Sequence, residues 1–142
     1  MIATGIYAQP GARREVIQDR VEAQRIAFIT QKLQLTPDEA AKFWPLYNEY
    51  KDKQMHLRGT VIGEKVTQAI QNGGADNLTD AEAEKVIAQD FAHEESQLQL
   101  KREYYEKFKT ALPIRKIARL NAVEMEFNRT VLEHIREKMQ NR

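Results

Sequence analysis

The chain has 142 residues, with 22 Lys and Arg against 21 Asp and Glu, for a net charge of +1. That length points to one domain with enough chain to bury a core, and near-neutrality offers no electrostatic case for nucleic acid. The complete lack of Cys excludes disulfides, thiol catalysis, CxxC redox chemistry and Cys-based zinc sites.

No apolar run approaches the ~20 residues that span a bilayer. Only 6 Gly and 4 Pro, beside abundant Ala, Glu, Lys, Gln, Leu and Arg, favour helix throughout. The expectation is an all-α chain: a segment 1–8, then a single helical domain over 9–142.

Residues 1–8, MIATGIYA, carry no charge and end at Gln9-Pro10-Gly11. Ile6-Tyr7-Ala8 reads as the tail of a signal peptide with a small residue at the cut. From Arg13 to Leu33, Ile17, Val21 and Phe28 recur at helical spacing with Ile26, Ile29 and Leu33 beside them, which predicts a first helix over about 13–33.

Leu35-Thr36-Pro37-Asp38-Glu39 then opens a second helix, over about 37–70. Thr36 suits the N-cap, Pro37 the first helical position, and Glu39 completes a capping box. Its apolar stripe is Ala40, Phe43, Tyr47, Tyr50, Leu57 and Val61. Pro45 falls inside the helix and should kink it or displace its start.

Asn72 to Asn77 is the clearest loop. Thr79 and Glu82 form a second capping box and start a third helix over about 80–111, with Ile87, Phe91, Leu98, Tyr105, Phe108 and Leu112 on one seam. Leu112-Pro113 predicts a boundary, because a residue before proline avoids the helical region. A fourth helix follows over about 114–139, with Ile117, Leu120, Phe127, Val131 and Ile135 as its stripe. At ~1.5 Å per residue the middle helices run roughly 45–50 Å. Long thin helices bury little apolar surface alone, so a dimer is expected.

Charge is unevenly divided. Residues 13–33 hold five basic and three acidic side chains, residues 36–70 five of each, residues 79–110 five and eight, and residues 113–142 seven and four. The fourth helix begins with Arg115, Lys116 and Arg119, which opposes its dipole; pairing with Glu103 and Glu106 would offset that.

Catalytic chemistry finds no support in the residues. His56, His93 and His134 stand apart on three helices, with no HExxH pair, and Gly73-Gly74 lacks the Lys and strand of a phosphate loop. Ser96 is the only Ser and sits in no GxSxG elbow. The expectation is a non-enzyme with no catalytic, cofactor-binding or metal-ligating residues. The aromatic string Phe43-Trp44-Pro45-Leu46-Tyr47 is read either as packing between helices or as a patch for apolar segments of other proteins.

Two junctions carry a family resemblance. Leu35-Thr36-x-x-Glu39 opens one long helix, and Tyr104-Tyr105-x-x-Phe108-x-x-x-Leu112-Pro113 closes another. Together they resemble the LTxxQ family of periplasmic helical stress proteins, the Spy/CpxP-like group. Lys42-Phe43-Trp44-Pro45-Leu46-Tyr47-Asn48-Glu49-Tyr50 is similar to a variant subgroup described as sigma-factor sensors. The chain departs from the motif at Glu39, where the family has Gln, and at Pro113 and Lys116, where it has Thr and Gln.

The resemblance implies four helices in an elongated hairpin-like arrangement that pair into a cradle-shaped homodimer in the Gram-negative periplasm. It implies ATP-independent, chaperone-like binding of unfolded or misfolded envelope proteins. The alternative is a regulatory partner of a membrane sensor or sigma-factor system, and a zinc-responsive member ranks below both. Carried onto this chain, the client-binding surface would draw on Arg13, Arg14, Arg20 and Arg25 with Ile26 and Ile29.

Overall fold

A computed structural model describes residues 10–71, 73, 74 and 77–141, without the side chains of 10–14, 16, 61–66 and 68–70. Residues 1–8, where the signal remnant is expected, lie outside the described residues. The described chain is all-helical, with α1 over Pro10–Leu33, α2 over Pro37–Gln71, α3 over Asp80–Phe108 and α4 over Ile114–Gln140. No strand occurs among the described residues.

The helix ends follow local chemistry. α1 begins three residues before Arg13, at Pro10, where a proline's missing N–H costs nothing because the first turn leaves it unbonded anyway. It ends in a Schellman turn. Gln34 adopts a left-handed φ of 52°, the Gln34 N–H donates to Gln31 O at 3.2 Å, and the Leu35 N–H donates to Thr30 O at 3.0 Å. Glycine usually fills that position.

α2 starts directly after Thr36 and runs unbroken through Pro45 to Gln71, so the proline does not displace its start. Gly73 and Gly74 have φ of 69° and 114°, values that L side chains rarely adopt. Thr79 then caps α3 as expected: its hydroxyl accepts from the Glu82 N–H at 3.2 Å, and its own N–H donates to the Glu82 carboxylate at 3.0 Å. α3 stops at Phe108 rather than near 111. Thr110 N–H donates to Lys107 O and Ala111 N–H to Phe108 O, the tighter i−3 pattern of a terminating helix, ahead of Pro113.

The chain divides into two compact units, residues 10–36 with 115–141, and Pro37–Ile114. In the second, α2 and α3 run antiparallel: Phe43 meets Phe108 at 5.0 Å between ring centroids, and Tyr50 stacks on Tyr104 at 5.3 Å. Phe43, Tyr47, Tyr50, Tyr104, Phe108, Ala111 and Leu112 are buried here. Trp44 is half-buried, set edge-on against Phe43 and Tyr47, while Pro45 and Pro113 are exposed. The first reading of the aromatic string, packing between helices, holds for Phe43 and Tyr47.

In the first unit, α1 and α4 are also antiparallel, with Phe28 against Phe127 at 5.5 Å. Ile29, Leu33, Ile117, Leu120, Val123 and Phe127 are buried. The basic start of α4 serves this unit. Lys116 Nζ donates to Gln34 O at 2.8 Å, and Arg119 donates to Lys32 O at 3.0 Å. These carbonyls close α1, so cations that oppose the dipole of α4 complement that of α1. Glu103 and Glu106 pair instead with Lys107 and Lys109 on their own stretch of chain. Replacing both Lys116 and Arg119 by Ala is expected to cost about 1 kcal/mol in total, since each hydrogen bond is exposed. Thermal unfolding of the double variant checks it, and an unchanged melting temperature would show that α1 needs no capping from α4.

Candidate functional site

The residues expected to contact a client do not form one exposed patch. Ile29 is fully buried, a correction to its expected role: it packs in the α1–α4 core, where no client reaches it. Ile26 is half-buried and Arg20 is exposed. Arg25 pairs with Glu22 at 2.9 Å and sits 5.3 Å over the Phe127 ring, so its guanidinium covers the core edge as a cation–π lid. The side chains of Arg13 and Arg14 lie outside the described ones.

The capping and motif positions are structural. Leu35 is half-buried, Thr36 occupies the N-cap position of α2, and Glu39 is half-buried in its first turn. Leu112, within the turn that follows α3, is buried.

What the sequence stripe did not separate is its buried part from its exposed part. On α3 the seam buries Phe108 but leaves Ile87, Phe91 and Leu98 at 53%, 62% and 50% exposure. On α4 the stripe buries Ile117, Leu120 and Phe127 but leaves Ile135 open, and Leu132 and Met139 beside it are exposed as well. In each unit the core sits beside the short turns, and the helices carry large apolar side chains beyond it. Aromatic density was the available signal: Phe43 and Tyr50 pair with Tyr104 and Phe108 where the seam closes, and Tyr47 packs on Phe43.

Charge follows the same division. The exposed row of α3 is interrupted by Glu94, between Phe91 and Leu98, and flanked by Asp90 and Glu95. At the packed end, lysines lie on tyrosine faces, with Lys107 Nζ 4.4 Å and Lys53 Nζ 5.1 Å from the Tyr104 ring centroid. The Tyr104 hydroxyl is buried near Glu49 and Lys53 without a well-aligned hydrogen bond to either. That hydroxyl, and then Lys53 at 3.2 Å, hold the Glu49 carboxyl below its ordinary range. The same hydroxyl, then Glu49, push the Lys53 ammonium up, and Glu103 does so for Lys107. The effect is to keep a surface charge network ionised over a buried aromatic pair.

A groove of about 390 Å³ lies between α2 and α3, lined by Asp52, Lys53, His56, Leu57 and Leu100. Among the described residues, no three His, Asp or Glu side chains gather where they could hold a metal ion. No described helix is long and apolar enough to cross a membrane. Comparison with protein-family models, curated proteins and solved structures finds no match for this chain.

Proposed function

We propose that this chain is a periplasmic envelope-stress protein that binds unfolded proteins without ATP, and that it works as an elongated, cradle-like homodimer. The observation that carries the reading is the exposed apolar row on α3. Scattered apolar side chains are ordinary on a soluble surface, whereas large ones aligned on one helical face among charged residues mark a surface for apolar segments of other molecules. Ile87 and Phe91 are one helical turn apart, and Leu98 follows seven residues on. The family resemblance of the two helix junctions supports the same reading.

The test is light scattering from a reduced, aggregating model client, without ATP, at equimolar ratio. The chain is expected to suppress aggregation. Phe91→Asp is expected to weaken client binding by about fivefold or more, as befits an exposed aromatic anchor worth at least ~1 kcal/mol. Because Phe91 is already exposed, that variant keeps its fold. No suppression by the unaltered chain would overturn the chaperone-like reading in favour of a regulatory partner of a membrane sensor or sigma-factor system.

A further inference from the structure

α4 carries two different apolar faces. Ile117, Leu120 and Phe127 are buried in the unit formed with α1. At ~100° per residue, a second row lies roughly 90° around the helix: Met125, Asn128, Leu132, Ile135 and Met139. All five are exposed, with Met125 at 64%, Leu132 at 57% and Met139 at 73%. Their steps of three and four residues place them at the a and d positions of a heptad, the spacing that seats one helix along another.

We infer that this row is the contact with a second copy of the chain, through two α4 helices lying parallel and in register. The inference rests on the homodimer proposed above and names the helix that makes it.

Charge and polarity choose the occupant and its direction. Glu124 and Arg129 stand at the positions that flank the row, five residues apart. In a parallel pair each Glu124 faces Arg129 of the second copy, the arrangement that sets partner and orientation in coiled coils. An antiparallel pair centred on Leu132 also gives Glu124 a cation, Lys138 of the second copy, but it brings Arg129 toward Arg136 of the second copy, a like-charge contact that the parallel pair lacks. It also lays the Asn128 amide against Ile135 of the second copy, which leaves a buried polar group unsatisfied. In the parallel pair Asn128 meets its own equivalent, and the two amides hydrogen-bond across the seam.

The cysteine-free chain makes the test direct. Leu132→Cys and Met139→Cys are each expected to form an interchain disulfide with their own copy under mild oxidation. Both should form about tenfold or more faster than Glu137→Cys on the opposite face, because pairing raises the effective concentration of facing thiols. Leu132→Asp is expected to sediment as a monomer with its helical circular dichroism unchanged, since Leu132 is exposed in the single chain. Equal rates at all three positions would overturn the contact. So would cross-linking of Met125→Cys only to Met139→Cys in a mixture, which marks the antiparallel pair, and so would a monomeric unaltered chain at tens of micromolar. Client aggregation measured on the same proteins keeps the two readings apart. Suppression without α4 cross-linking overturns the contact alone, and cross-linking without suppression overturns client binding alone.

Discussion

Phe108→Ala is expected to destabilise the α2–α3 unit by about 3–5 kcal/mol. Phe108 is fully buried and is the hub of the aromatic cluster. Its ring lies 5.0 Å from Phe43, 5.6 Å from Tyr105 and 6.0 Å from Tyr50. Truncation removes the transfer energy of the ring, and the cavity cannot collapse easily because rigid rings line it. Edge-to-face contacts with Phe43 and Tyr50 are lost as well, each worth ~0.5–1.5 kcal/mol beyond area.

Urea unfolding followed by far-ultraviolet circular dichroism reads the loss as a lower midpoint. Phe91→Ala is the internal control, the same residue type on the same helix. At 62% exposure its loss should stay within ~0.5 kcal/mol, as for surface substitutions generally. Equal effects at the two positions would mean that the core does not sit where the aromatic cluster places it.

Phe127→Ala should produce the second large loss, again about 3–5 kcal/mol, in the α1–α4 unit. Phe127 is 4% exposed, tilted at 51° against Phe28, with the Arg25 guanidinium over its ring. Arg25→Met, which keeps an apolar stem over the ring but removes the charge, should cost only ~0.5–1 kcal/mol. The surface pair Lys32–Glu126, 2.8 Å apart beside it, contributes no more than ~1 kcal/mol. Chemical denaturation of the two variants distinguishes the terms. If Arg25→Met cost as much as Phe127→Ala, the guanidinium rather than the ring would hold this unit together.

Much of the secondary structure was legible because its signals are local. Thr79 and Glu82 sit three residues apart, and a capping box needs nothing beyond that span. Pro113 restricts Leu112 whatever surrounds it. The glycines after α2 accept positive φ by themselves. Where a local signal was silent, the bounds missed by a turn or less, at the start of α1 and the end of α3. The end of α1 was placed correctly, although Gln34 takes a glycine-like conformation there, with the Lys116 ammonium on its carbonyl.

The candidate surface was far less legible. Arg25 and Ile29 belong to a basic and apolar stretch of α1 that reads as a binding face, yet one lies over Phe127 and the other is sealed in the core. Phe91 and Phe108 stand on one seam of α3 with the same periodicity, yet one is open and the other closed.

From the sequence by itself come the four helices, the stops between them, the angular position of each apolar side chain around its helix, and a charge that is neutral only on average. Those are properties of 3.6-residue spacing and of neighbours in the chain. Which stretch of each seam is buried was decided by tertiary structure alone. Burial depends on what stands across from a side chain, and the partners of Phe108 and Phe127 are ~60 to 100 residues away in the chain, where periodicity carries no information.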